Sequence, residues 1–334
     1  MSHFFVVATN ENGIVTDSYL PGDLQKALAT PFSFTDVFIY SHGWWNTPNR
    51  ATQDYNRFTI EFAQVMRNLA ASASASAANR FPQASLGIGI YWPSMLSADP
   101  SGFFNDFEAA SFYTMEKRAD AVGEHAGYFL LKAIAAAVKS KTSTLVRLHL
   151  VGHSFGCKVL ANALQSMTPD KIDKSDLAAL NSVTVNLVLL QAAFDEDHLE
   201  KGDQYGDIAG KFPNLRILAT TSQEDKALHE WYPKAQAAKI ITLFSQRNAL
   251  GAVGPTAKAA KPFGGRKDIA VDANFQVKTV TSLKDRFIVA DITALHRDAV
   301  LLASVGATPD KFSGHHSTIF LNPLYSLMAG FLFG

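Results

Sequence analysis

The sequence predicts an α/β fold: a mostly parallel central sheet with helices on both faces. Three observations predict it. Short apolar runs of strand length alternate with longer stretches whose apolar residues recur at helical spacing. Several of the short runs, such as Val183-Thr-Val-Asn-Leu-Val-Leu-Leu190, are apolar at most positions, as strands covered on both faces must be. The chain has 334 residues, 47% hydrophobic and 18% charged, which suffices for one large core. A single domain over residues 1–334 is expected.

Taken in order, residues 4–8 read as the first strand and Asn10-Glu-Asn-Gly13 as a turn. Residues 20–30 predict a short helix opening after Pro21. Residues 36–40 are a buried strand that runs into Ser41-His42-Gly43-Trp44-Trp45-Asn46. A helix is expected over 51–69, with Phe58, Phe62, Val65, Met66 and Leu69 on one face. Residues 70–79 alternate Ala and Ser and read as a surface loop or frayed helix end. A strand over 86–92 stops at Pro93; its Gly87-Ile-Gly89 opens no helix and meets no third glycine, so it is not a nucleotide loop. Residues 103–140 read mostly as helix, with Gly123 or Gly127 as the place for a break.

A strand over 145–151 is followed by a helix that ends before Pro169. Further strands are expected over 183–193, 215–220, 239–244, 286–291 and, more weakly, 275–280. Residues 246–272, rich in Gly, Ala and Lys, break the alternation and read as a long loop with a short hairpin. A loop of that length inside a domain is usually functional, and this one is expected to flank the mouth of a site. The last helix starts near Pro323.

Between the strand at 145–151 and its helix lies Gly152-His153-Ser154-Phe155-Gly156, which reads G-x-S-x-G. A serine on so sharp a strand-to-helix turn has a strained backbone and a hydroxyl held clear of the sheet, hence the flanking glycines. The helix that follows aims its first N–H groups at the same spot. This nucleophile elbow resembles that of the α/β-hydrolase superfamily. His42-Gly43-Trp44, Tyr91-Trp-Pro-Ser94, Gln191-Ala-Ala-Phe194 and Arg247-Asn-Ala-Leu-Gly-Ala252 also look like pieces of a bacterial branch of its serine hydrolases and esterases. These short pieces are spread over most of the chain.

The resemblance implies an α/β-hydrolase fold and a catalytic triad in the order Ser, acid, His. Ser154 is then the nucleophile. Asp225, in Thr221-Ser-Gln-Glu-Asp225, is the favoured acid, with Asp195 or Asp197 one strand earlier as competitors. The base is expected in Ser313-Gly-His-His-Ser317; His316 is chosen over His315 because His-Ser before an apolar helix matches the family more closely. His229 lies too near the acid, and His296 sits in a helix-like segment. The oxyanion hole would take one backbone N–H from Phe155 and the other from Gly43 or Trp44.

The expected activity is a carboxylesterase on short- to medium-chain esters, because no cap is visible between Ala193 and Leu215. An acyltransferase, thioesterase or lipase would use the same triad, and a catalytically silent member would keep only a ligand-binding role. Trp44, Trp45, Tyr91, Trp92, Trp231 and Tyr232, at or beyond strand ends, are candidates to line an apolar pocket.

With 30 basic and 30 acidic residues the net charge is zero, which gives no footprint for nucleic acid. The one cysteine, Cys157, forms no internal disulfide, fits a reducing cytoplasmic setting and reads as a small buried residue. No signal peptide is expected at the N-terminus, and no apolar stretch reaches the length of a membrane span. His149 and His153 share no helix face, so no metal site is expected, nor any cofactor. The partner is a small-molecule ester; the sequence leaves the oligomeric state open.

Overall fold

The computed structural model describes residues 3–16, 21–29, 32–72, 78–95, 108–140, 143–168, 173–239, 247–275 and 283–334. Among these, eight strands build one sheet: β1 (His3–Ala8), β2 (Asp36–Ser41), β3 (Ser85–Tyr91), β4 (Arg147–His153), β5 (Thr184–Leu190), β6 (Leu215–Thr221), β7 (Lys267–Ala270) and β8 (Phe287–Asp291). Their order is β1-β3-β2-β4-β5-β6-β8-β7, and every neighbouring pair is parallel.

The period of two along each strand divides the core into two layers. Val37, Ile39, Leu148, Leu150, Val185 and Leu187 point to one side. There they meet the helices Gly22–Leu28, Glu108–Val122, Tyr128–Lys139 and Phe155–Ser166. Phe38, Tyr40, Val151, Val188 and Leu218 point to the other, against the helices Pro48–Ser72 and Asn322–Phe333. Parallel strands need crossovers, and helices on both faces make both sides of each strand apolar.

Helix limits follow local chemistry. Pro48 opens its helix at the position where a missing N–H costs nothing, and Thr47 Oγ1 accepts from Arg50 N at 3.2 Å. The anticipated break near Gly123 is a single π turn, Gly123–Gly127, within one continuous helical path.

The stretch 246–272 corrects the expectation of a loop with a hairpin. Its described part holds the short helices Leu250–Val253 and Ala257–Ala260, a 3-10 turn Lys261–Phe263 and strand β7, which pairs in parallel with β8. β7 escaped the pattern because its residues are mostly exposed and include Lys and Asp, as an edge strand allows. Residues 240–246 and 276–280, which carry most of the strands expected over 239–244 and 275–280, lie outside the described residues; Lys239 itself ends the helix Tyr232–Lys239. Among the described residues no helix is long and apolar enough to cross a membrane.

The strand order places the site. After β2 the chain crosses to β3 on one side, and after β4 it crosses to β5 on the other. Loops leaving two adjacent parallel strands in opposite directions open a crevice at their carboxyl ends, where α/β sheets bind ligands. His42-Gly43-Trp44 follows β2 and Ser154 follows β4.

Candidate active site

Ser154 stands between β4 and the helix Phe155–Ser166 with φ 56° and ψ −124°, a left-handed backbone that a non-glycine residue adopts at a cost. Two bonds hold the turn: Ser154 N donates to Leu190 O at 3.0 Å, and Ala193 N donates to Ser154 O at 3.3 Å. Gly156 has to be glycine because a Cβ there would strike the carbonyl oxygen of Ser41. The elbow helix thus sits directly on the end of β2.

Gly43 closes on the serine from that side: a Cβ at Gly43 would lie 2.7 Å from Ser154 Cβ. His42 fixes this loop. Its Nδ1 donates to Gly43 O at 2.7 Å and its Nε2 accepts from Trp92 N at 3.3 Å, while Trp92 Nε1 donates to His42 O at 3.1 Å. Burial lowers the His42 pKa to about 4, so the ring stays neutral and keeps this pattern. Phe155 opens the elbow helix, so its N–H has no acceptor within the helix.

Asp225 is fully buried and holds three donors. His316 Nδ1 donates to Oδ2 at 2.7 Å, Gln191 Nε2 to the same oxygen at 2.7 Å, and Leu228 N to Oδ1 at 3.0 Å. A proton fixed on His316 Nδ1 leaves Nε2 as the nitrogen with a lone pair. The loop that carries His316 is laid against the loop of Asp225 by backbone bonds: His315 N donates to Glu224 O at 3.0 Å and Ala227 N to Ser313 O at 3.4 Å. Gly314 permits this approach, with φ +60° and no room for a Cβ beside Glu224 O.

His153, the residue before Ser154, ties this turn to the same loop. Its Nε2 donates to His316 O at 2.8 Å, and burial, helped by the neighbouring His316, lowers its pKa to about 3. The competitors are occupied elsewhere. The His315 ring stacks on His296 at 5.2 Å, and its Nδ1 meets Thr318 Oγ1 at 3.2 Å. His296 Nδ1 accepts from Ser222 Oγ at 2.8 Å and its Nε2 donates to Thr318 O at 3.0 Å, with a pKa lowered to about 4 by burial. His229 Nε2 donates to Ser222 O at 3.1 Å. Asp195 binds Tyr232 OH at 2.7 Å, His198 Nε2 at 3.1 Å and Arg247 Nη1 at 3.4 Å, and neither His315 nor His316.

Asp195, Asp197 and His198 bring their ligand atoms within 4.8 Å of one another, a spacing that could hold a metal ion. Arg247 already occupies the cluster as a cation, 3.4 Å from both carboxylates. Cys157 is buried and spends its thiol on Gly152 O at 3.1 Å; burial pushes its pKa up.

Ser154 and His316 line one cavity of about 910 Å³, together with Phe155, Trp44 and Trp45. No hydrogen bond joins Ser154 to His316 among the described residues; both face the shared space. Trp231 and Tyr232 also line it, whereas Tyr91 and Trp92 do not, which corrects the expectation for that pair. Trp92 is instead fully buried and stacks on His42 at 5.4 Å. The stretch 247–272 contributes no lining residue, so it does not flank this cavity.

Sequence reasoning missed Gln191, the second donor to Asp225, and the bonds that His42 and His153 make. Gln191 lies at the end of β5 with φ 48°, and its strand-end motif marks the place without revealing the partner. No family model, curated protein or solved structure matches the chain.

Proposed function

We propose that the chain is a serine hydrolase of the α/β-hydrolase fold, a carboxylesterase that works through an acyl-enzyme on Ser154. The observation that carries this reading is the 2.7 Å bond from His316 Nδ1 to buried Asp225, in a loop whose histidine shares a cavity with a serine on a left-handed turn. His316 Nε2 takes the proton of Ser154 Oγ as the serine attacks the ester carbonyl, then delivers it to the departing alcohol. Asp225 holds the tautomer and stabilises the imidazolium. The N–H groups of Phe155 and of Gly43 or Trp44 receive the oxyanion. His316 next activates water, and the acid leaves. No step calls for a cofactor. One buried cysteine is compatible with a reducing setting, and the proposal places the enzyme in the cytoplasm.

Fluorophosphonate labelling of the wild type beside Ser154→Ala tests the reading, with p-nitrophenyl esters of increasing length in parallel. Labelling and turnover are expected in the wild type and absent in the variant. Asp225→Asn and His316→Gln should each lower kcat by three to four orders of magnitude, roughly the scale of triad losses, with an unchanged circular-dichroism spectrum. An unlabelled, folded wild type would leave the cleft a binding role alone.

A further inference from the structure

The cavity around Ser154 has two unlike walls. One is aromatic and begins at the residue after the nucleophile. Phe155 lies 5.1 Å from Phe112 and 6.1 Å from Trp44, and Phe112 lies 5.4 Å from Tyr232, between ring centroids. All four line the cavity. The Tyr232 hydroxyl is bound to Asp195, which does not line it. Such a wall takes up methylenes or a ring without asking for a polar partner.

The other wall is ionic. The helix Pro48–Ser72 places Arg50, Asp54 and Arg57 at positions four and three residues apart, hence on one face, and all three line the cavity. Arg50 Nε meets Asp54 Oδ1 at 3.4 Å; the Arg50 side chain is 58% exposed and has no other partner among the described residues. Arg57 is held in place: Nε on Glu61 Oε1 at 2.8 Å, Nη2 on Phe320 O at 3.4 Å, and the guanidinium 4.8 Å from the centre of the Phe320 ring. Its Nη1 has no partner among the described residues. Glu61 is not a lining residue.

Among the described lining residues the charged side chains are unequal in sign. Lys234 joins Arg50 and Arg57 as a third cation, against the carboxylates of Asp54 and Asp310. Asp310 Oδ1 is spent on its own loop, where Phe312 N and Ser313 N each donate to it at 2.8 Å. Burial raises the pKa of Asp54 against the pull of Arg50 and Arg57. The wall therefore offers more guanidinium donors than the described residues fill. Planar guanidinium donors suit a carboxylate.

We propose that the substrate is an amphipathic ester whose apolar chain runs along Trp44, Phe112, Phe155 and Tyr232 and whose far end carries a carboxylate received by Arg50 and Arg57. This rests on the serine hydrolase reading for the bond that is cleaved, and the anion subsite can be read separately from cleavage. A volume of about 910 Å³, near the top of the usual range for ligand pockets, leaves room for both parts, where a short acyl ester would leave most of the space to water.

The test is a matched series of p-nitrophenyl monoesters: dicarboxylates from glutarate to sebacate, each beside the neutral ester of the same chain length. At the length that spans the cavity the dicarboxylate should win in kcat/KM by roughly ten- to a hundredfold, the scale of a charged hydrogen bond. The advantage should appear in KM and shrink with added salt, because the guanidiniums are partly exposed. The ratio of anionic to neutral turnover should collapse in Arg50→Gln and Arg57→Gln. Arg50→Gln is the safer variant for folding, since Arg57 also braces Phe320. Calorimetry of the same dicarboxylate monoesters with folded Ser154→Ala reads the subsite without cleavage. Tighter binding of the anionic member, lost in Ser154→Ala/Arg50→Gln, supports the subsite even if the wild type takes no fluorophosphonate. Equal binding of anionic and neutral members at every length overturns it, whatever the labelling shows, as do arginine variants that slow both members alike.

Discussion

Gln191 shows how one buried amide can bear on the proposed reaction from outside the cavity. It does not line the cavity, yet its Nε2 donates at 2.7 Å to the Asp225 oxygen that His316 also uses. An amide turned the other way would set its oxygen against a carboxylate oxygen, so the donor assignment is secure. In exchange the Gln191 side-chain oxygen is buried with no hydrogen-bond partner among the described residues. Gln191→Met keeps the shape, removes the donor to Asp225 and also removes the orphaned acceptor. The two changes oppose each other in stability and act together only on the site. A fall in kcat of roughly ten- to a hundredfold is expected, from the loss of a bond to a charged group, with KM little changed. Thermal denaturation should show a smaller loss than that ratio implies. A fall in melting temperature with unaltered kcat would make Gln191 a purely structural residue. Nothing in the sequence reveals this contact, because Gln191 and Asp225 meet only through the pairing of β5 with β6. Ser154 was legible for the opposite reason: its strand, glycines and helix are consecutive in the chain.

At the scale of elements, the site depends on two loops being pressed together, and Gly314 is where they touch. Its φ of +60° is left-handed, and a Cβ would meet the Glu224 carbonyl. Gly202 offers a control, with φ +90° and open space around it. Gly202→Ala should cost only about 1–2 kcal/mol, the backbone term for a Cβ in left-handed conformation. Gly314→Ala should add the cost of displacing the acid loop and move His316 from Asp225. The expected result is a folded protein whose fluorophosphonate labelling is slowed far more by Gly314→Ala than by Gly202→Ala. Equal labelling would show that the base does not depend on this contact. The loop pair was half legible. Gly-His-His-Ser marked the loop that meets Asp225, but the choice between His315 and His316 depends on rings that stack or pair across the chain. The ionic face of the helix Pro48–Ser72 was not legible at all, since a helix with polar residues on one face ordinarily turns them to solvent. β7 was missed because four mostly exposed residues carry no apolar alternation.

For the whole molecule, the alternation of strands and helices announced a parallel sheet, while the order of its strands is set by packing that no single segment records. That packing also buries titratable groups far from the reaction. Asp36 on β2 is fully buried between Arg147 and His149 on β4, with Arg147 Nε at 2.6 Å and His149 Nε2 at 3.0 Å. Burial opposes its ionisation, but the bonds from His149 and Arg147 prevail and lower its pKa to about 2. His42, His153 and His296 are kept neutral by burial, with pKa values of about 4, 3 and 4 against 6.5 for a free side chain. The two kinds of group act in the same direction. Below pH 6.5 the unfolded chain takes up protons on these histidines while the folded one does not, so stability falls as the pH drops from 6.5 towards 4. Below 3.8 the unfolded chain also protonates Asp36, and the stability supplied by its Arg147 ion pair and His149 hydrogen bond is lost as the pH falls towards 2. Urea midpoints measured from neutral pH down to about 4 should therefore decline steadily, well before carboxylates titrate. The slope should lessen in His296→Asn, which removes one of the suppressed protonations and leaves Ser222 and Thr318 a polar partner. A midpoint that stays flat to pH 4.5 and then drops would assign acid unfolding to carboxylates alone.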